Sequence, residues 1–133
     1  MNPAAIQILR RDLGLSDLRY RGILADVAGV TSSRQLDDDA VREVYRRISA
    51  LATAKKPAAR YVWVLWGDLK QYLLPRERNG KYFCGFVRRA AGVNLEDMTC
   101  LDLLEPLELH KVIEALKRRV AHEEARLAAE VPF

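Results

Sequence analysis

Apolar residues recur along this chain at three- and four-residue intervals, and no stretch shows the sustained alternation of a half-buried strand. Ile6, Leu9 and Leu13 mark a first helix, with Pro3 suited to its first turn and Gly14 to its end. Ser16 caps a second, striped by Tyr20, Ile23, Leu24 and Val27 and stopped at Gly29. Thr31, Ser32 and Ser33 form a loop. Asp37 then caps a third helix that buries Val41, Val44, Tyr45, Ile48 and Leu51, with Leu36 and Val41 at staple positions. The polar, Pro-containing stretch 53–60 reads as a linker. The pattern resumes with Val62, Leu65, Trp66 and Leu69 between Tyr61 and Leu73, then breaks at a charged loop from Leu74 to Gly80. Phe83, Phe86, Val87 and Ala90 stripe the next helix, which Gly92 ends. Glu105-Pro106 opens a long last helix carrying Leu109, Val112, Ile113, Leu116 and Val120 and bounded by Pro132.

The two halves match each other. Leu9 to Leu13 pairs with Leu65 to Leu69 at an offset of 56 residues, and Tyr20 to Leu24 pairs with Phe83 to Val87 at 63. Ala28-Gly29-Val30 pairs with Ala91-Gly92-Val93 at that same 63, and Leu36, Val41 and Val44 pair with Leu104, Leu109 and Val112 at 68. The offset grows only in loops, where insertions are tolerated. The expected fold is all-α: two tandem three-helix units related by an internal repeat, residues 1–52 and 61–133, joined by 53–60 and ending in the long helix.

Composition narrows the class. The 133 residues are 50% hydrophobic and 30% charged, a globular balance that suits one domain or two very small ones. No apolar run approaches the ~18 residues of a membrane span. The charges near the N-terminus follow a short apolar stretch, the wrong order for a secretory signal. Two cysteines build no disulfide framework, so a cytoplasmic location is expected. Charge is uneven: 11 Lys and Arg against 7 Asp and Glu in residues 1–60, 6 against 2 in 61–95, and 5 against 9 in 96–133. A basic body followed by an acidic end is compatible with a polyanion partner.

Leu13-Gly14-Leu15-Ser16-Asp17 with Tyr20-Arg21, then Leu24, Val27 and Gly29, then Ser32-Ser33 and Leu36, resembles the first half of the GemA regulatory proteins of Mu-like phages. Leu65-Trp66-Gly67-Asp68-Leu69, Phe86 to Arg89, Gly92-Val93 and Val112 to Lys117 resemble the second half. The likeness spans about residues 6 to 119, with a shorter linker and a longer loop from Thr99 to Leu104 than the family usually has. It implies a phage or prophage early-region protein that modulates host gene expression through DNA topology and host DNA gyrase. It supplies no catalytic residue.

Catalytic and metal motifs are not found. His110, His122, Cys84 and Cys100 lack metal-ligand spacing, and no phosphate-cradling or nucleophile-elbow glycine pattern occurs. Asp37, Asp38 and Asp39 read as first-turn acids facing the N–H groups of a helix. No enzyme activity and no cofactor are expected. Candidate phosphate contacts are Arg42, Arg46 and Arg47 on the third helix, Lys55, Lys56 and Arg60 after it, and Arg76, Arg78, Lys81, Arg88 and Arg89 in the second half. The seven residues from Val30 to Leu36 exceed the turn of a helix-turn-helix, which favours phosphate contact over base readout. Trp63 lies off its helix stripe and is a candidate partner contact, although core packing accounts for it as well. The alternatives are a protein-interaction module without DNA contact and a recombination-accessory DNA-binding protein. The acidic end of the last helix could cross a second copy in a homo-oligomer.

Overall fold

The structure is a computed structural model that describes residues 2–130; Pro132, expected to bound the last helix, lies outside the described residues. Those residues form six α-helices and no strand: α1 (Ala4–Leu13), α2 (Asp17–Ala28), α3 (Asp38–Leu51), α4 (Pro57–Lys70), α5 (Gly80–Ala91) and α6 (Pro106–Ala129). The caps are those the side chains favour. Ser16 Oγ accepts from the Arg19 N–H at 3.2 Å, Asp37 Oδ1 from Ala40 N–H at 2.8 Å, and Asn79 Oδ1 from Tyr82 N–H at 2.8 Å. At the start of α6, Glu108 Oε1 accepts the Glu105 N–H at 2.8 Å. No helix is long and apolar enough to cross a membrane.

Helix α3 packs on α1 and α2, and α6 packs on α4 and α5. Helices α4 and α6 run in the same direction. Lys56 Nζ donates to the Leu104 carbonyl at 3.4 Å at one end, the Lys117 ammonium lies 5.6 Å from the Tyr61 ring centre midway, and Tyr72 meets Glu124 at the other. One continuous core results, from Ile6, Leu24, Val44 and Ile48 to Val62, Leu69, Phe83, Val112 and Leu116. Trp66 is buried at its middle, edge-on to Phe83 with ring centres 5.1 Å apart.

Three segments differ from the sequence expectation. Helix α4 starts at Pro57, so the second half of stretch 53–60 is its first turn, with Ala59 fully buried. Leu51 stays 38% exposed because the end of α3 borders a surface hollow beside Ile23. The loop after Gly92 is built around a 3₁₀ segment, Met98–Leu103, that sinks Met98 and Leu101 into the core.

Helices α1 and α5 meet backbone to backbone. Gly14 ends α1 in the left-handed conformation (φ 73°), its N–H returned to the Arg10 and Arg11 carbonyls. Gly80 begins α5 directly against it: a Cβ there would lie 2.1 Å from the carbonyl carbon of Leu13 and 2.2 Å from the Gly14 nitrogen. Only a residue without a side chain permits that approach. The carbonyl end of α1 thus faces the N–H end of α5, a favourable arrangement of helix dipoles.

Two carboxylates tie loops across the molecule. Asp102, in the 3₁₀ segment, accepts the Lys55 N–H at 2.9 Å and the Lys56 N–H at 2.9 Å, and so holds the turn between α3 and α4. Those backbone donors keep its carboxyl below the ordinary aspartate range. Asp97 is fully buried and pairs with Arg19 of α2.

Replacing Gly80 by Ala should cost at least about 3 kcal/mol in urea unfolding, because backbone has to move. Gly22→Ala, in open space within α2, should gain roughly 0.5–1 kcal/mol. Equal effects at the two sites would contradict the close approach. Because the Asp102 carboxyl titrates lower when folded, its contribution is complete above the ordinary aspartate pKa and is lost as pH falls through the depressed value. Asp102→Ala should therefore lose about 1 kcal/mol at neutral pH, with the deficit shrinking as the medium is acidified below the ordinary aspartate pKa. Chemical denaturation across that pH range measures it.

Candidate nucleic-acid interface

The contact between Gly14 and Gly80 places the last turn of α1 beside the first turn of α5, and three concavities adjoin there. The central one, about 590 Å³, is lined by Arg10, Arg11, Gly14 and Leu15 from the α1 end, Asn79, Lys81 and Cys84 from α5, and Leu95 and Glu96 from the following loop, with Gln7 at its edge. Gln7 and Arg10 are shared with a second hollow that continues over Tyr20, Arg21, Thr31 and Arg34. Arg11 is shared with a third that continues over Lys70, Pro75 and Arg78. The shared residues join the three into one trough across the end of α1. Seven cations line it, Arg34, Arg21, Arg10, Lys81, Arg11, Lys70 and Arg78, against the carboxylates Asp17, Glu96 and Asp12.

Some of this charge is held in place. Arg10 reaches Asp17 at 3.2 Å and lies over the Tyr20 ring, 4.5 Å from its centre. Arg21 meets Asp17 at 3.0 Å and Arg11 meets Asp12 at 3.9 Å. Arg78 donates Nε to the Leu73 carbonyl at 2.8 Å, which fixes its stem and leaves its charge without a carboxylate partner among the described residues. Lys70 and Lys81 likewise have no carboxylate within 4 Å among the described residues. A fixed excess of positive charge along a concave surface suits phosphate contact.

The residues expected from sequence to contact phosphate fall into separate places. Arg78 and Lys81 line the trough, and Arg76 belongs to the turn Pro75–Glu77 at its margin. Arg88 and Arg89 lie on the other stretch of α5; Arg89 borders a shallow groove with Arg118 and Arg119 over a floor of Phe86, Ala90 and Ala115. That groove shares no lining residue with the trough. Arg42, Arg46 and Arg47 stand on the exposed side of α3, each beside an acid: Asp39 at 3.8 Å, Glu43 at 2.5 Å and Asp26 at 4.0 Å. Lys55 and Lys56 sit at the turn into α4, their backbone N–H groups held by Asp102, and Arg60 lies in the first turn of α4. Trp63 is half-buried and packs against the core.

Five trough cations, Arg10, Arg11, Arg21, Arg34 and Lys70, are not among those expected. The adjacent Arg10-Arg11 pair before a helix-stopping glycine was the available signal. It reads equally as basic residues favoured at a helix C-terminus, which hid it.

Beside the trough, Arg19 Nη1 donates to Asp97, to Thr99 Oγ1 at 3.0 Å and to Cys100 Sγ at 3.6 Å. Ligand atoms of Glu96, Asp97 and Cys100 lie within 4.8 Å of one another, but the guanidinium already supplies the positive charge there. Burial would lower the Arg19 pKa; the Asp97 carboxylate outweighs it and holds the group above its ordinary value. Burial, with Asp97 and Cys100 nearby, pushes the Cys84 thiol up to about 11, so it is no ready nucleophile.

The family model for the Bacteriophage Mu GemA protein matches residues 15–122 of this chain. The chain belongs to the GemA family. No curated protein and no solved structure matches it significantly. In this GemA-family chain the matched segment includes α2 through most of α6, hence the Arg19–Asp97 tether and the α5 side of the trough. The α1 side, with Arg10 and Arg11, lies before the matched segment.

Asp97→Asn should lower stability by about 2–3 kcal/mol, less than for a fully enclosed pair because Arg19 is partly open to water. Thermal and urea unfolding of the variant check this, and wild-type stability in Asp97→Asn would refute a structural role for the pair.

Proposed function

We propose that this GemA-family protein is a non-enzymatic phage or prophage regulator that binds DNA along the trough through phosphate contacts. The observation that carries the reading is the sorting of charge: the arginines of α3 are each matched by an acid, whereas four of the seven trough cations, Arg34, Lys70, Arg78 and Lys81, have no carboxylate within 4 Å among the described residues. Lys81 adds a cation near the start of α5, where the helix dipole disfavours it. Charge placed against local stability is most simply explained by a polyanionic partner.

The chain is further read as two tandem three-helix units. In its support, α3 packs on α1 and α2 much as α6 packs on α4 and α5, and both middle helices end on a left-handed glycine, Gly29 and Gly92. We further propose an effect on host gene expression through DNA topology, with DNA gyrase as the host partner and the cytoplasm as the place of action. A protein-interaction module without DNA contact is the rival class.

Fluorescence anisotropy with a mixed-sequence duplex should give binding whose affinity falls steeply with salt. The double variant Arg78→Gln/Lys81→Gln should flatten the plot of log K against log salt by about 2, near 0.9 for each phosphate no longer neutralised. Arg42→Gln/Arg46→Gln should leave the slope nearly unchanged. No binding at low salt sinks the DNA reading and favours the protein-partner class. Equal effects of the two double variants would place the DNA outside the trough.

A further inference from the structure

We infer that the central cavity of the trough receives an unpaired nucleobase, so that the protein prefers DNA with an extruded or single-stranded nucleotide over perfect duplex. The inference rests on the DNA reading above and assigns the cavity a separate task within it. The walls differ from the rest of the trough. Leu15 and Leu95 contribute apolar surface, Cys84 a thiol that is neutral at physiological pH, and Glu96 a carboxylate. A carboxylate in the middle of a phosphate-binding surface repels phosphate. It accepts hydrogen bonds from exocyclic amino groups such as cytosine N4. Glu96 has no cation within 4 Å among the described residues, and the neighbouring guanidinium of Arg19 is committed to Asp97, Thr99 and Cys100. The phosphates flanking an inserted base would meet Arg11 and Lys81 at the rim.

Size and stacking agree. About 590 Å³ lies within the range of small-molecule sites and exceeds what one base needs. Arg10 lines the cavity, and its guanidinium is held in place over the Tyr20 ring and pinned by Asp17, a preorganised cation on which a base can stack. Extruding a base costs unstacking, least where the nucleotide is already unpaired. The cavity therefore selects for single strands and bulges.

Anisotropy with the full chain tests this, using four fluorescein-labelled probes: a perfect duplex, the duplex with one bulged cytosine, the same bulge made abasic, and a single strand. The bulged cytosine should bind about tenfold tighter than perfect duplex, as expected for one stacked base. The abasic bulge should lose that gain. Leu95→Asp, which replaces apolar wall by a second carboxylate, should bring the ratio of bulged to perfect duplex affinity close to one. Should that variant fail to unfold cooperatively like the wild type, Glu96→Lys on the exposed rim serves instead. It should tighten perfect duplex and lower the same ratio. Equal binding of bulged, abasic and perfect duplex overturns the inference and leaves the trough reading standing. No binding of any probe at low salt overturns both.

Discussion

The arrangement hinges on two glycines in van der Waals contact. Gly80 has its Cα against the Leu13 carbonyl, and Gly14 turns the chain away in the left-handed conformation. The end of α1 and the start of α5 therefore meet with no side chain between them. The central cavity of the trough follows from that approach. Arg10 and Arg11 come from one helix, Lys81 from the other, and Arg78 from the loop leading into it. Push the helices apart by one methyl group and the central cavity loses a wall.

The surrounding tethers show how such a junction is kept. Asp97 reaches across from the loop after α5 to Arg19 of α2, and Asp102 holds two backbone N–H groups before α4. Each joins segments far apart in sequence, near residues 19 and 97 or 55 and 102. Both lie on the loop after Gly92, whose 3₁₀ segment also buries Met98 and Leu101. That loop is a structural element in its own right, and it anchors the segments on either side. The apolar core supplies the bulk of the stabilisation, as it does in any domain of this size. The carboxylates decide which loops lie over which helices.

Charge on the surface is sorted by neighbours and not by count. On α3 and the outer part of α6, cations have acids three or four residues away: Arg46 with Glu43, Lys117 with Glu114, Arg126 with Glu130. Glu123, nearly buried, is shared by Arg126 and Arg119, which hold its carboxyl below the ordinary range. In the trough, cations from α1, α2, the Ser33–Gln35 turn, α4, α5 and the loop before α5 converge with few acids between them. A basic isoelectric point says little about which of these situations a given arginine is in.

The helices are legible along the chain without any knowledge of the fold. Apolar spacing, capping side chains and glycine stops place all six, because each signal acts within a turn or two of its own position. The family is legible too, through motifs whose order spans most of the chain. The start of α4 reads late, since Pro57 looks like a break as readily as a first turn, and the 3₁₀ segment Met98–Leu103 goes unread. The candidate site, by contrast, exists only in three dimensions. Arg10 and Arg11 look like ordinary helix-end residues, and Glu96 like any surface acid, until α5 is laid against α1. Arg47 looks available until Asp26 of α2 is seen beside it. Local propensity depends on neighbours along the chain, whereas electrostatic potential and cavity shape depend on neighbours in space, and here those neighbours lie tens of residues away.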